Sequence, residues 1–226
     1  MQLPKVEVES IAQATYRHIK RAIIRQEFGE GPLTEASLSA QLGVSKTPVR
    51  EALQRLALEG FVQIDPRRGA FVVLLTSSDV AELFGVREAL EAYAVEQGFP
   101  MLRRERYSTL EALVAASGSA LGDHQVFQQR DRDIHAVVIA AASNSRLTRI
   151  YATVSDHVEV IRMRAITIPG RAERSHREHV AFLESIRTGP KELARQRLID
   201  HIRSVRDSLV AYLERDAERR HSGAGE

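Results

Sequence analysis

The first third of the chain contains three segments whose hydrophobic residues recur with the period of a helix. Two short segments with a strand pattern follow them. A polar residue that can cap a helix stands at the start of each helical segment, and glycines follow the segments. The two strand segments flank Asp65–Gly69, which has the composition of a hairpin loop. The predicted elements are helices over Ser10–Phe28, Glu35–Leu42 and Ser45–Glu59 and strands over Phe61–Ile64 and Ala70–Leu75.

The rest of the chain carries long amphipathic segments and no further strand pattern. Residues Thr76–Asp79 have the composition of a capping box that opens a helix, so we place the domain boundary here. Glycine, proline and small polar residues then interrupt the hydrophobic periodicity five times, which predicts six helices. The predicted breaks lie at Gly98–Pro100, Gly118–Asp123, Ser143–Asn144, Pro169–Gly170 and Thr188–Pro190.

These patterns predict a mainly α protein made of two domains. Residues 1–75 are expected to form a winged helix-turn-helix, and residues 76–226 an all-α bundle of about six helices. The chain has 226 residues, of which 43% are hydrophobic and 27% charged, so it is long enough for two separate cores. The charged segment Arg215–Glu226 is expected to fray.

Composition limits the chemistry more than charge does. The formal net charge is only +2, so charge alone does not indicate a nucleic-acid partner. No segment reaches the run of about 18 apolar residues that crosses a membrane, and the N-terminal residues lack the apolar stretch of a signal peptide, so we expect a cytoplasmic protein without membrane contact. Because the chain has no cysteine, any metal ion must be bound by carboxylates and by some of the eight histidines.

The second and third predicted helices have the pattern of a helix-turn-helix, in which two short helices share a small core across a glycine turn. Hydrophobic residues at helical spacing lie on both sides of the turn, namely Leu38, Leu42, Val49, Leu53 and Leu56. The opposite face of the third helix offers Ser45, Lys46, Thr47 and Arg50. Short polar groups and cations at a helix N-terminus suit contacts with phosphates and base edges in a major groove.

Individual cations in this region differ in what they can contact. Arg50 has the donors to bind a guanine bidentately, whereas Lys46 fits a base or a phosphate equally well. Arg67, Arg68 and Gly69 lie at the tip of the predicted wing, where cations can enter a minor groove and glycine permits close approach. An ordinary helical hairpin with a solvated basic face is the alternative, but the order of three helices and a wing favours DNA binding.

The sequence of this region resembles the winged helix of GntR-family regulators. The resemblance covers about residues 10–75 and rests on Leu42–Leu53, Glu59–Val62 and Arg68–Val72, which read LGVSKTPVREAL, EGFV and RGAFV. It implies that the exposed residues of the third helix contact operator DNA and that Gly69 lies where the wing approaches the minor groove. Many family members have arginine where this chain has Ala36 and Lys46, so the usual operator half-site does not transfer to this chain.

Four ionisable residues of the second domain occupy positions that helical periodicity assigns to hydrophobic faces. Asp131 and His135 are four residues apart and therefore share one helix face. His179 and His201 lie on two further hydrophobic stripes, and each is eleven residues from Pro190 in a predicted break. If the helices on either side of this break fold back antiparallel, both imidazoles lie at the same height.

These four residues form a possible metal site. Burial of a carboxylate and three imidazoles without partners is unfavourable, and a divalent cation bound by all four would offset the cost. The set is complete for zinc, or part of an octahedral site for nickel, manganese or iron, in which open positions admit water or a ligand carboxylate. A single buried histidine is at least as often a hydrogen-bonded core residue, but four residues on convergent faces favour a metal site.

The second domain resembles the FCD effector domain of the FadR subfamily. The resemblance rests on Asp131–His135 with Asn144 downstream, on Glu178–His179 and on His201. Family members usually have phenylalanine at the position of Ile134, which changes the packing and leaves the ligands intact. Six helices in about 145 residues resemble the shorter, VanR-like branch. The resemblances to the GntR winged helix and to the FCD domain together cover nearly the whole chain.

The FCD resemblance implies that the metal and nearby polar groups bind a small organic acid. Arg87 matches a position that often faces the ligand pocket, where a cation can pair with a carboxylate, although a structural salt bridge is an equal alternative. His157 shares a hydrophobic stripe with Val154 and Ile161 and is a further candidate, with a plain core role as the alternative. Asn144 completes the candidate effector-binding residues.

Together these features predict a ligand-responsive DNA-binding repressor that binds an inverted-repeat operator as a homodimer and is not an enzyme. Effector binding is expected to change the placement of the two DNA-binding heads. A metal-dependent hydrolase is one alternative, but its HD-type signature needs a histidine followed directly by aspartate, which none of the eight histidines provides. In another alternative, the metal itself is the signal.

Overall fold

The computed structural model describes residues 9–29, 31–164 and 168–223, and the chain divides into two units, Met1–Leu74 and Leu75–Glu226. Within the described residues, the first unit contains α1 (Ile11–Ile24), α2 (Glu35–Leu42), α3 (Lys46–Leu58) and an antiparallel pair of strands, β1 (Val62–Asp65) and β2 (Gly69–Val72). The second contains α4 (Ser77–Arg104), α5 (Tyr107–Ser119), α6 (His124–Ala141), α7 (Ser145–Arg164), α8 (Arg171–Thr188) and α9 (Lys191–Gly223). The predicted mainly α fold is therefore confirmed.

Local sequence explains where the helices of the first unit begin and end. The side chain of Ser10 accepts a hydrogen bond from Gln13 N at 3.1 Å, and that of Thr34 accepts one from Ser37 N at 3.2 Å. Both contacts satisfy backbone donors that have no partner inside the helix. α2 ends at Gly43, whose φ of 66° is a left-handed conformation that glycine adopts without strain.

The wing has a backbone geometry that requires its glycine. In the hairpin Val62 pairs with Val72, and Leu33 adds an antiparallel bridge to Ala70. Gly69 has a φ of 108°, and a Cβ at this position would lie 3.0 Å from the carbonyl oxygen of Leu33. A larger residue here would strain the hairpin and its bridge, so the glycine has a structural role whether or not it approaches DNA.

The first helix of the second unit is longer than predicted. It begins at the predicted capping box, in which Asp79 N donates to Thr76 Oγ1 at 3.2 Å and Thr76 N donates to Asp79 Oδ2 at 2.8 Å. The break predicted at Gly98–Pro100 is wrong, because α4 continues through it. A Cβ on Gly98 would lie only 2.6 Å from the backbone carbonyl carbon of Ala141, so this glycine permits close packing of α4 on α6 rather than ending the helix.

The core of the second unit lies where α4 packs against α6 and α9 and where α8 packs against α9. The short connection at Gly189–Pro190 turns the chain back, so α8 and α9 run antiparallel. α9 continues to Gly223, so most of the charged segment from Arg215 onward is helical among the described residues. None of the helices in the described residues has the length and apolar character needed to span a membrane.

Candidate metal centre and nucleic-acid interface

Four side chains from three helices meet in the core of the second unit. Asp131 and His135 come from α6, His179 from α8 and His201 from α9, and each is at most 1% exposed. One ligand atom from each residue lies within 4.8 Å of the others. The rings of His179 and His201 are 4.3 Å apart between centroids, in keeping with their equal distance from Pro190 along the chain. The structure thus brings all four predicted metal ligands together.

Three distances within this cluster are close to those of a tetrahedral metal site. His135 Nε2 lies 3.2 Å from His201 Nε2 and 3.7 Å from Asp131 Oδ2. His179 Nε2 lies 3.7 Å from Asp131 Oδ1. Four ligand atoms at about 2.0–2.1 Å from a zinc ion are about 3.3 Å from one another in a tetrahedron. The four ligand atoms as a set lie within 4.8 Å of one another, so the side chains would have to draw closer to share one ion.

His179 supplies the clearest test of whether the cluster suits a cation. Both of its ring nitrogens are buried and have no hydrogen-bond partner among the described residues, whereas buried polar atoms in proteins are nearly always bonded. Burial and the neighbouring His201 lower the pKa of His179 well below its ordinary range. Burial also lowers the pKa of His201 to about 4. Neutral imidazoles with available lone pairs are the form that metals bind, so these residues fit a divalent metal.

A buried network on α4 and α7 holds His135 in place. Glu91 Oε2 lies 2.5 Å from His135 Nδ1, while Glu91 Oε1 accepts hydrogen bonds from Arg87 Nε at 2.7 Å and from Tyr151 Oη at 3.0 Å. Burial opposes the ionisation of Glu91, but its interactions with His135 and Arg87 outweigh this and lower the pKa of Glu91 to about 2. The ionised carboxylate places a proton on Nδ1 of His135, so that Nε2 faces the cluster as a ligand atom.

A second carboxylate, that of Glu178, holds His201 in the same way. Glu178 Oε2 lies 2.7 Å from His201 Nδ1 and accepts a hydrogen bond from Arg171 at 2.6 Å, while Glu178 Oε1 accepts one from Ser204 Oγ at 2.7 Å. Burial opposes the ionisation of Glu178, but the hydrogen bonds from His201 and Ser204 outweigh it and lower its pKa. Two of the three cluster histidines thus have a carboxylate on the ring nitrogen that faces away from the cluster.

The carboxylate of the cluster itself is paired with an arginine. Arg162 of α7 donates to Asp131 Oδ2. Burial opposes the ionisation of Asp131, but Arg162 and the three histidines outweigh it and hold the pKa of Asp131 well below its ordinary value. Asp131 is therefore ionised, which is the state that a metal ligand requires.

Two cavities adjoin the cluster. The larger, of about 60 Å³, has room for a few water molecules or a carboxylate group. Its polar lining is Asp131, Arg162, Arg171, Ser175, His124 and Gln128, and its other lining residues are apolar. The smaller, of about 10 Å³, is lined by His135, Arg87, Arg132, Tyr151, Ser155, Val158, Glu159 and Arg162. Arg162 lines both cavities, so cations face the cluster from two sides.

The three predicted effector-binding residues have different surroundings. Arg87 lines the smaller cavity and is fully buried, with Nη1 unbonded among the described residues while Nε pairs with Glu91. Asn144 caps α7, since its Oδ1 accepts from the backbone N–H groups of Arg146 and Leu147 at 3.1 Å, and it lines neither cavity. His157 is half-buried on α7 and lines neither cavity.

Sequence reasoning did not single out four residues that surround the cluster, namely Glu91, Tyr151, Arg162 and Arg171, and it named Glu178 only as part of the family signature. A partial signal existed for Glu91, because it lies four residues after Arg87 on the buried stripe of α4. Arg162 and Arg171 had no such signal, since charged residues near helix ends are usually solvated. The contact of Arg162 with Asp131 depends on how α7 packs on α6, and the contact of Arg171 with Ser204 depends on how α8 packs on α9.

The predicted DNA contacts all lie on the first unit. The side chains of Ser45, Lys46, Thr47 and Arg50 are exposed at the start of α3, and Ser45 does not use its hydroxyl to cap the helix. Arg68 is exposed at the wing, where its guanidinium lies 5.0 Å from the centroid of the Phe71 ring. The helix start and the wing therefore offer polar groups and cations to a partner.

Arg50 is held by a carboxylate from the preceding helix. Its Nε donates to Glu35 Oε1 at 2.8 Å and its Nη2 donates to Glu35 Oε2 at 2.9 Å, which makes a bidentate pair between α3 and α2. The Arg50 side chain is nevertheless 61% exposed. The hydrogen bonds from Arg50 lower the pKa of Glu35, so the pair is ionised on both sides at neutral pH.

Comparison with known proteins identifies the family of this chain. The family model for bacterial regulatory proteins of the gntR family matches residues 11–72, and the model of the FCD domain matches residues 82–204. The chain belongs to the GntR family and carries an FCD domain. It is a DNA-binding transcriptional regulator and not an enzyme. FCD domains bind metals, and in this chain the buried Asp/His cluster lies within the matched segment.

Relatives and solved structures agree with this family. The chain is 32% identical over 216 residues to the "Probable D-xylose utilization operon transcriptional repressor" of Paenarthrobacter nicotinovorans, covering 91% of this chain and 89% of that protein. The structure of Escherichia coli McbR/YncC has a TM-score of 0.75 at 20% identity and covers 93% of this chain and 100% of that one. A structure described as the metal-free FCD domain of TM0439 has a TM-score of 0.55 at 21% identity and covers 63% of this chain and 99% of that domain. The two solved structures share the fold.

Proposed function

We propose that this GntR-family regulator is a repressor whose DNA binding responds to a small organic acid held at the metal centre. The observation that carries the proposal is the cluster of Asp131, His135, His179 and His201 beside a cavity lined by two arginines. Metal ligands and cations that face one cavity are suited to a carboxylate ligand. We place the protein in the cytoplasm, where such a repressor meets DNA.

The residues that hold the metal are the four members of the cluster, and zinc fits their number and chemistry best. Nickel, manganese or iron would need further ligands from water or from the effector. When bound, the ion would supply a Lewis-acidic centre, and an octahedral ion held by the same four residues would keep positions open for a ligand carboxylate. Glu91 and Glu178 orient His135 and His201, and Arg162 keeps Asp131 ionised.

The larger cavity supports a site for the acid between α6, α7 and α8. Arg162 contacts the ligand residue Asp131 directly, and Arg171 reaches His201 through Glu178. An acid in this cavity would compete for both guanidinium groups and thereby act on the cluster. On the opposite side, Arg87 offers an unbonded Nη1 to the smaller cavity. Asn144 and His157 are less suited to this role, because neither lines these cavities.

On the DNA side, we propose that Ser45, Lys46, Thr47, Arg50, Arg68 and Gly69 meet an inverted-repeat operator in a homodimer. Each α3 would contact one half-site in the major groove, and each wing would approach a neighbouring minor groove. Exposure of these residues and the repressor name of one relative support this role. The acid would favour one placement of the two heads by about 1–3 kcal/mol, a typical allosteric coupling.

A thermal-shift screen of short mono- and dicarboxylates against the metal-loaded protein tests this proposal. We expect at least one acid to raise the melting temperature of the unsubstituted protein and of Arg187→Gln, whose ion pair with Glu184 is exposed. The same acid should have a smaller effect on Arg171→Gln. A shift that is identical in Arg171→Gln, or that persists without metal, would contradict the assigned site.

A further inference from the structure

The ion pair between Glu35 and Arg50 joins the recognition helix α3 to the helix before it. Its two hydrogen bonds fix the plane of the Arg50 guanidinium and leave Nη1 without a partner among the described residues. An arginine held in this way loses less side-chain freedom when it binds a base than a mobile one does.

Stability does not explain why a carboxylate stands at position 35. α2 is already capped by the Thr34 hydroxyl, which accepts from Ser37 N. The side chains of Glu35 and Arg50 are 32% and 61% exposed, and ion pairs this exposed contribute little to folding. The pair instead places a negative charge beside the cationic start of α3, where Lys46 also lies close enough to act on Glu35.

We propose that Glu35 is a positioning residue for operator recognition, because it orients Arg50 toward a base edge and neutralises its attraction to the phosphate backbone. The inference rests on the proposed contact of Arg50 with the operator. A carboxylate at this place weakens binding to any DNA, since DNA affinity depends on the net charge brought to the phosphates. The same carboxylate favours binding to the correct sequence, because a bidentate contact between arginine and guanine needs one orientation of the guanidinium.

The test compares two DNA duplexes, one selected from a random library by the unsubstituted protein and one with the same bases scrambled. Glu35→Gln should tighten binding to the scrambled duplex and lower the ratio of selected to scrambled affinity by about fivefold or more, the scale of one base contact. Glu35→Asp keeps the charge at the start of α2 but is one methylene too short for the pair. It should also lower the ratio, with the melting temperature unchanged.

Arg50→Ala separates the inference from the function on which it rests. In the Arg50→Ala background, Glu35→Gln should change the ratio by less than about twofold, because the two residues act as a unit. An equal fall of the selected-to-scrambled affinity ratio in both backgrounds would overturn the positioning role. So would a Glu35→Asp variant whose affinity ratio equals that of the unsubstituted protein. If Arg50→Ala itself leaves the ratio unchanged, or if no sequence is selected, then the proposed operator contact fails instead.

Discussion

The two halves of this regulator carry their functional residues in opposite ways. The proposed DNA-reading residues lie within 25 residues of sequence, at the exposed start of α3 and at the wing, and contribute little to the core. The candidate metal ligands are spread over 71 residues of sequence on three helices, and all four are buried. Substitutions in the first set, apart from Gly69, should change binding without changing stability, whereas substitutions around the second should change both.

The largest expected loss of stability comes from the buried carboxylate that holds His135. Glu91→Gln removes the charge opposite Arg87 inside the core, so we expect the free energy of unfolding to fall by about 3–5 kcal/mol, as for a broken buried ion pair. Glu88→Gln, three residues earlier on α4, breaks a partly exposed pair with Arg203 and should cost only about 0–1 kcal/mol. Urea unfolding of both variants measures the difference, and equal losses would contradict a structural role for the buried network.

The next largest effect concerns the metal. Zinc at 100 to 1,000 times its dissociation constant should stabilise the unsubstituted protein by about 3–4 kcal/mol. His179→Ala or His201→Ala should lose both the bound metal and this stabilisation. His157→Ala, a half-buried histidine outside the cluster, is the matched control and should keep both. If purified His179→Ala and His201→Ala retain the metal stoichiometry of the unsubstituted protein, the cluster is not the metal site.

Substitution of Arg50 tests the role of the exposed residues in the first unit. Arg50→Ala should weaken binding to a selected operator by about 1–3 kcal/mol while sparing much of the salt-dependent binding to scrambled DNA. Its melting temperature should match that of the unsubstituted protein, because the pair with Glu35 lies at the surface. Equal loss on both DNAs in a binding titration would make Arg50 a phosphate contact.

The smallest effect is a pH dependence in the first unit. Burial opposes the ionisation of Glu59, but hydrogen bonds from Lys20 and Tyr16 outweigh it and lower its pKa from 4.5. A carboxyl whose pKa is lower in the folded state stabilises the fold above its unfolded pKa, and this contribution is lost as the pH falls through the folded pKa. Below pH 4.5 the stability of α1 and α3 should therefore decline, as followed by their amide signals in urea.

Glu59→Gln should flatten this decline, while Glu51→Gln, with its exposed side chain on the same helix, should leave it in place. A decline of the same steepness in Glu59→Gln would show that other groups cause the acid sensitivity of the first unit.

The same contrast explains what the sequence predicted and what it did not. Caps and turns are local, so the bounds of α2 and the start of α4 were predicted correctly. The burial of the four cluster residues followed from periodicity, since each stands where a hydrophobic residue is expected. Gly98 was wrongly predicted to lie in a helix break. A glycine is needed there because the backbone of Ala141 packs closely against it, and sequence spacing does not reveal this contact.

The surroundings of the cluster were the hardest part to predict. Arg162 and Arg171 are charged residues near helix ends, and only the packing of α7 on α6 and of α8 on α9 brings them to Asp131 and Ser204. Asn144 has a local role that the sequence does contain, since its position before α7 is a capping position. A residue's place in a family signature therefore does not distinguish a ligand contact from a helix cap.

We propose that an organic acid, and not the metal, is the signal that changes DNA binding by the first unit. The most direct measurement titrates zinc into the metal-free protein at a constant concentration of an acid selected by thermal shift, then titrates the acid at constant zinc, and follows operator affinity throughout. We predict that zinc alone leaves operator affinity unchanged and that the acid then changes it by about 5- to 150-fold. An affinity that follows zinc occupancy and ignores the acid would contradict the account.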